Sequence, residues 1–162
     1  WMTVEWVKTG KPTVVGIATG MVAGLATITP ASGTVGPQGA LLIGLLAGLI
    51  CFYATQMIKG FFKIDDSLDV FAVHGVGGIL GTMMAAIFCL PSLGGAGLPD
   101  GATVGSQLGV QAIAVIATVV WSAIACLVIL KFTAAVTGLR ANDDEITEGM
   151  DLAYHGEKDY NF

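Results

Sequence analysis

Charged residues are scarce in this chain and are absent from long intervals. Only 12% of its 162 residues are Asp, Glu, Lys or Arg, whereas a soluble domain has about 25%. None occurs in residues 12–58, 70–99 or 101–130. Each interval is long enough for one or two helical membrane crossings of about 20 residues. This scarcity excludes an ordinary soluble domain and predicts an all-α, polytopic membrane protein.

Sequence signatures of enzymes, metal sites and nucleic-acid binding are also missing. No phosphate-binding loop follows a predicted strand, and there is no basic patch for nucleic acid. Cys51, Cys89 and Cys126 lie dozens of residues apart within apolar intervals, which fits neither a disulfide framework nor a zinc site. We therefore expect no catalytic residue, metal or cofactor, and an intramembrane enzyme is the weaker interpretation.

Apolar runs separated by Gly, Pro and charged turns predict four membrane-spanning helices within residues 13–137. The expected spans cover about residues 13–28, 40–58, 68–90 and 107–136. Residues 1–12 are expected to be the end of a preceding helix and a turn, and residues 138–162 a polar tail. Because residue 1 is Trp and no signal-peptide pattern follows, we expect the sequence to open within a longer protein.

The positions of the basic residues predict the orientation in the membrane. With four spans, all seven fall on one side: Lys8, Lys11, Lys59, Lys63, Lys131, Arg140 and Lys158. The positive-inside rule assigns that side to the cytoplasm. We therefore expect a multi-pass protein of the cell (inner) membrane with a cytoplasmic C-terminus.

Residues 65–81 contain the one histidine inside an apolar interval, His74. An ionisable group within a membrane span indicates a functional site. At helical spacing, His74 is predicted to share one face with Val70, Gly77, Gly78 and Gly81. A neutral imidazole on so bare a face can accept a proton or hydrogen-bond a small solute, so a transport path is favoured. A purely structural membrane subunit is the third interpretation.

Three carboxylates precede this histidine, at Asp65, Asp66 and Asp69. Asp66 suits the N-cap of the histidine helix, and Asp69 would then lie at N3, a capping box with Asp in place of Glu. Both charges would be favourable near a helix N-terminus. Capping at the membrane surface is therefore preferred to direct contact with a substrate.

Five stretches together resemble the ammonium transporter family (Amt/Mep/Rh), and its bacterial Amt branch most closely. Residues 65–81, Asp-Asp-Ser-Leu-Asp-Val-Phe-Ala-Val-His-Gly-Val-Gly-Gly-Ile-Leu-Gly, resemble that family's histidine helix. The other similar stretches follow in order along essentially the whole chain: residues 1–6, 10–13, 26–33 with 35–40, and 138–140 with 155–157.

The resemblance implies a fold of eleven transmembrane helices, in which two inverted five-helix repeats surround the pore. This chain would supply the end of helix seven, helices eight to eleven and a cytoplasmic C-terminal tail. The family assembles as a homotrimer with one pore per subunit. The implied substrate is ammonium or ammonia, with methylammonium as an analogue.

The resemblance also implies roles for individual residues. His74 would be the second of two paired pore histidines, while Val22, Thr29 and Val70 would line the pore, and Asp66 and Asp69 match acids at the start of the histidine helix. The tail would couple subunits and bind PII-type signalling proteins through Arg140, Gly149, Asp151, His155, Gly156 and Glu157. Plant relatives carry a phosphorylated Thr where this chain has Ala153, so that form of switching is not expected here.

Two functions from different classes follow. In the first, ammonium loses a proton and crosses as ammonia, because moving the bare ion into an apolar lumen is very costly. Potassium has no proton to give and would be excluded. In the alternative, the chain is a membrane-anchored regulatory or interaction module that acts through its tail without transport. His155 alone is more typical of a solvated surface residue than of a ligand.

Overall fold

The chain is helical throughout the part that the structure describes. The computed structural model describes residues 1–158, so the last four positions of the expected tail, 159–162, lie outside the described residues. The helices are α1 (Met2–Thr9), α2 (Val14–Ile28), α3 (Pro37–Gln56), α4 (Gly77–Phe88), α5 (Val104–Val136) and α6 (Asp143–Glu148). Because residues 1–158 contain no strand, the predicted all-α class is confirmed.

Wide π-helical turns and short 3-10 turns extend several of these helices. The π-helical turns are Met57–Phe61, Phe71–Val76 and Asp151–His155, and the 3-10 turns are Thr29–Ala31 and Pro91–Leu93. With them, four segments within residues 1–158 are long and apolar enough to cross a membrane. These segments are Val14–Ala31, Pro37–Phe61, Phe71–Phe88 and Val104–Val136. We call Phe71–Phe88 the histidine helix.

The chain divides into two compact units, Trp1–Ala117 and a second one from Thr118 onward. In the first unit, α2, α3 and the histidine helix pack against one another through small side chains. One buried cluster joins Ala23, Cys51 and Val73, and another joins Ala31, Ile43 and Ala85. Small residues are typical of membrane helices whose backbones approach closely.

Helix α1 packs against the end of the first unit that contains Lys8, Lys11, Lys59 and Lys63. The carboxylate of Glu5 accepts hydrogen bonds from the Thr13 backbone N–H (3.1 Å) and hydroxyl (2.8 Å). The Thr13 hydroxyl in turn accepts the Gly16 N–H at 2.9 Å and caps α2. Lys8 Nζ lies 4.5 Å from the centre of the Tyr53 ring, near the end of α3. These contacts hold α1 to α2 and α3.

At the other end of the first unit, two connections meet. The Ala96 N–H donates a hydrogen bond to the Thr34 carbonyl at 2.9 Å. Gly36 also lies against the backbone of Gly94. The connection after α2 and the loop after α4 therefore lie together, and neither contains a basic residue.

The second unit ends in a folded tail. Asn142 caps α6, because its side chain accepts the Glu145 N–H at 3.0 Å while the Glu145 carboxylate accepts the Asn142 N–H at 2.9 Å. The Tyr154 hydroxyl donates to the same carboxylate at 2.8 Å and connects the π-helical turn Asp151–His155 to α6. The tail therefore has a hydrogen-bond network of its own.

Candidate functional site

The Asp66 side chain caps the histidine helix, although Asp66 lies five residues before Phe71, where that helix begins. Its carboxylate accepts hydrogen bonds from the backbone N–H groups of Val70 (2.8 Å) and Phe71 (2.9 Å). These N–H groups belong to the start of the helix, where no helical carbonyl is available to accept them. The position of Asp66 therefore agrees with a capping role.

Asp69 does not occupy the N3 position of a capping box, so that prediction is wrong. Its backbone has a positive φ of 56°, and the helix begins only after it, at Phe71. Its side chain instead forms an ion pair with Lys59, with Nζ 2.8 Å from Oδ1. The capping-box pattern failed because Asp66 accepts the N–H groups of residues i+4 and i+5, whereas a standard N-cap side chain accepts that of i+2 or i+3. The helix therefore begins later than the pattern predicts.

His74 lies in a groove of about 310 Å³ between α2 and the histidine helix. The other lining residues are Val14, Val15, Ala18, Thr19, Val22, Leu68 and Val73. The His74 side chain is exposed, and within residues 1–158 no hydrogen bond or ion pair joins it to another residue. Its ring nitrogens are therefore available to a solute in a mostly apolar groove.

The groove brings together two of the four residues expected to line a pore. His74 and Val22 line it, whereas Thr29 and Val70 are not among its lining residues. Thr29 is exposed at the end of α2, where its hydroxyl donates to the Leu25 carbonyl at 2.7 Å. Val70 is 51% exposed at the start of the histidine helix.

The sequence interpretation missed four further lining residues on α2. They are Val14, Val15, Ala18 and Thr19. Val15, Ala18 and Thr19 lie with the predicted Val22 at positions i, i+3, i+4 and i+7, which place them on one helical face. Thr19 is the polar residue of this set, and its hydroxyl donates to the Val15 carbonyl at 2.9 Å. The helical spacing around Val22 was the signal that could have identified them.

The face predicted to surround His74 is divided in the structure, so that prediction is corrected. Gly77 and Gly81 are buried against Thr27 of α2, whereas His74 is exposed and Gly78 has open space beside it. A π-helical turn runs from Phe71 to Val76, and its wide turn changes the angular position of each residue from that of a regular α-helix.

A second cavity, of about 410 Å³, lies at the end of the first unit away from the basic residues. It is lined by Pro30, Thr34, Ala85, Ala86, Cys89, Gly97, Leu98, Pro99, Gln107 and Gln111. None of the predicted site residues contributes to it. Within residues 1–158, no three His, Cys, Asp or Glu side chains gather so as to hold a metal ion.

The tail residues predicted to be regulatory surround the π-helical turn. Asp151 begins that turn and His155 ends it, while Gly149 and Gly156 have positive φ values of 100° and 65° on either side. Glu157 donates its N–H to the Asp151 carbonyl at 3.2 Å. Arg140 lies before α6 and is exposed. The structure therefore gathers Gly149, Asp151, His155, Gly156 and Glu157 at this turn, and Arg140 is not part of it.

One carboxylate in the tail has a perturbed pKa. Hydrogen bonds from the Asn142 N–H, and secondarily from the Tyr154 hydroxyl, lower the pKa of Glu145. The same contact raises the pKa of Tyr154, because loss of its proton would remove a hydrogen bond to Glu145.

Four apolar helical segments and an imidazole-bearing groove define the class of this protein, a polytopic α-helical membrane protein. The particular family follows from comparison with known sequences. The sequence model that describes the Ammonium Transporter Family matches residues 1–160. The chain therefore belongs to that family.

The relatives support this assignment over nearly the whole chain. An ammonium transporter of Aquifex aeolicus is 46% identical over 99% of this chain and 38% of its own length. Ammonium transporter Amt1 of Archaeoglobus fulgidus is 44% identical over 99% of this chain and 40% of its own. This chain therefore spans about two fifths of the length of these relatives.

Solved structures show the same fold. The crystal structure of Mep2 from Saccharomyces cerevisiae matches with a TM-score of 0.76 at 32% identity, over 89% of this chain and 34% of that protein. A Mep2 mutant from Candida albicans matches with a TM-score of 0.71 at 35% identity, over 86% of this chain and 36% of that protein. The resemblance inferred from sequence motifs is confirmed.

Proposed function

We propose that this chain forms part of a path that conducts ammonium or ammonia across the membrane, with His74 facing the solute. The observation that carries the proposal is the His74 ring, which has no partner within residues 1–158 and lies in a groove lined mainly by apolar side chains. Membership of the ammonium transporter family supports the substrate class. The protein then acts as a transporter and not as an enzyme.

The chemistry of the groove favours passage of an uncharged solute. Its lining contains one hydroxyl and one imidazole and no carboxylate or ammonium group. A bare ammonium ion would lose its hydration there without compensation, at very high cost. Ammonium can give up a proton and cross as ammonia, hydrogen-bonded to an imidazole, whereas potassium has no proton to lose. The path therefore selects for a cation that can become neutral.

Two histidines facing one another would hold ammonia better than one. This chain has no second histidine in its apolar intervals, because His155 lies in the tail. In this proposal the second histidine, which would face His74, belongs to a part of the transporter other than these 162 residues. Val22 forms the wall beside His74, and Thr29 and Val70 line the path further towards its two ends.

The proposed setting is the cell (inner) membrane, crossed by the four apolar segments, with the tail in the cytoplasm. Basic residues near the ends of α1 and α3 support this orientation. By analogy with the family, the protein assembles as a homotrimer. The tail meets PII-type signalling proteins, and the contact residues are Arg140, Gly149, Asp151, His155, Gly156 and Glu157.

The alternative, a regulatory module without transport, has one supporting observation. The tail contains its own hydrogen-bonded network, centred on Glu145. Such a segment can present a defined surface to a partner. Binding of a PII-type protein to the tail, combined with an absence of transport in the experiment below, would favour this alternative.

The proposal can be tested in a chimera. This chain would replace the 38% of the Aquifex aeolicus transporter that it matches, and ammonium-dependent current and methylammonium uptake would be measured in proteoliposomes. We expect His74→Ala to abolish conduction or to admit potassium, because the solute loses its hydrogen-bonding partner.

The matched control is Met21→Ala, an exposed position on α2 that does not line the groove. It should conduct normally. Normal methylammonium uptake with intact potassium exclusion in His74→Ala would contradict the proposed role of this histidine.

A further inference from the structure

The connection between α3 and the histidine helix is held by an ion pair. Lys59 lies in the π-helical turn that ends the Pro37–Phe61 segment, and its Nζ is 2.8 Å from Oδ1 of Asp69. The side chain of Asp69 is only 14% exposed, and that of Lys59 is 41% exposed. Because one partner is largely shielded from water, this pair is screened less than an ordinary surface pair.

The backbone of Asp69 has an unusual conformation. Its φ of 56° lies in the left-handed region, which few residues other than glycine adopt, although Asp and Asn tolerate it best. Such a conformation persists only where its surroundings enforce it. Here the side chain is held by Lys59, and the carbonyl accepts the Val73 N–H at 2.8 Å.

This hydrogen bond connects Asp69 to a residue of the site. Val73 is buried against Ala23 and Cys51, and His74 follows it directly in the groove. Leu68, the neighbour of Asp69 on the other side, also lines that groove. Asp69 therefore lies between two groove residues in sequence, and its carbonyl is hydrogen-bonded to the residue that precedes His74.

We propose that the Lys59–Asp69 ion pair positions His74, by fixing the start of the π-helical turn and so the direction in which the imidazole enters the groove. This inference rests on the proposed function, because it assigns the pair a role in conduction. Both are positioning residues, since neither side chain lines the groove beside His74.

Three substitutions separate the effect of the ion pair from that of the backbone conformation of Asp69. Asp69→Asn removes the charge and keeps a residue that tolerates a positive φ. Lys59→Met removes the charge and keeps a long unbranched side chain, whereas Lys59→Arg retains the charge. Asp65→Asn is the matched control, because it removes an exposed carboxylate from the same connection.

The measurement is ammonium-dependent current per transporter in the chimera described above, with concentration dependence and thermal stability determined in parallel. We expect Asp69→Asn and Lys59→Met each to lower the maximal rate about three- to tenfold with little change in KM. Lys59→Arg should restore most of the rate. The double variant should be no slower than either single one, because one interaction has been removed in each case.

A purely structural pair would behave differently. It would lower the amount or the melting temperature of the transporter and leave the rate per molecule unchanged, and that result would overturn the inference. So would losses that multiply in the double variant, or an equal loss in Asp65→Asn. If Asp69→Asn does not fold, the comparison of Lys59→Met with Lys59→Arg decides the question.

The proposed function can fail independently of this inference. A chimera that conducts normally with His74→Ala would contradict the proposed role of His74 in the path. A chimera that requires His74 but conducts normally with both Asp69→Asn and Lys59→Met would contradict only the role of the ion pair.

Discussion

At the scale of single residues, two glycines of α4 make close contacts with α2. A Cβ atom at Gly77 would lie 2.7 Å from the Thr27 hydroxyl oxygen and 3.4 Å from the Cys51 sulfur. At Gly81 it would overlap the backbone carbonyl of Thr27. Gly78, beside them in sequence, has nothing within 4 Å. Two adjacent glycines in one helix therefore have different roles.

This difference gives a stability prediction. Gly77→Ala should destabilise the protein by about 1–3 kcal/mol, because the added methyl group overfills a packed contact between α2 and α4. Gly78→Ala should be neutral or slightly stabilising, since alanine favours the helix by up to about 1 kcal/mol. Thermal unfolding of both variants in the same detergent measures the effect, and equal melting temperatures would contradict the packing described here.

The sequence was enough to select His74 as a candidate site residue, but not to predict the backbone geometry around it. His74 could be found because it is an ionisable group in an interval that contains no charge, which needs no knowledge of the backbone. Asp69 could not be placed, because neither its positive φ nor its ion pair with Lys59, ten residues earlier, has a local sequence signal. Capping rules describe local contacts and do not include such a partner.

At the scale of elements, the charge-free intervals indicated where the apolar helices lie, because water-free surroundings demand apolar side chains in any fold. Periodicity was less successful for the histidine helix. Its first turn is π-helical, and the 3.6-residue period that placed Gly77 beside His74 does not hold there. No signal in this sequence marked that turn. The regular α2, by contrast, has the groove residues at the spacing that its period requires.

The tail is an element whose stability should depend on pH. The pKa of Glu145 is lowered in the folded tail, so the ionised carboxylate stabilises the fold above its usual pKa of 4.5. This contribution declines as the pH falls below 4.5 and is lost below the lowered folded value. Tyr154→Phe should move the Glu145 midpoint upward, because one of the two main hydrogen bonds to the carboxylate is gone.

This shift can be measured by titrating the carboxyl carbon of Glu145 by NMR in the detergent-solubilised chain. Thr147→Val is the control, since the Thr147 hydroxyl donates to the Asp143 carbonyl and not to Glu145. An unchanged midpoint in Tyr154→Phe would show that the hydroxyl does not stabilise the ionised carboxylate in solution.

At the scale of the whole molecule, the folded contacts agree with the charge pattern used to orient it. The two ends of the histidine helix differ, because the ion pair of Lys59 with Asp69 lies at one end and a loop without basic residues follows the other. That loop contacts the connection after α2, which is also without basic residues. In the orientation that we propose from the positive-inside rule, both of these connections lie outside the cell.

Two serines at opposite ends of the histidine helix allow a direct test of this orientation. Ser67 and Ser92 are both exposed, and each can be changed to Cys in a chimera whose other cysteines have been replaced. A membrane-impermeant maleimide applied to intact cells should label Ser92→Cys and leave Ser67→Cys unlabelled, because in the proposed orientation only the loop without basic residues faces outward. After permeabilisation both should react, which controls for accessibility. Labelling of Ser67→Cys in intact cells would reverse the proposed orientation and would place the tail outside the cytoplasm, away from any PII-type partner.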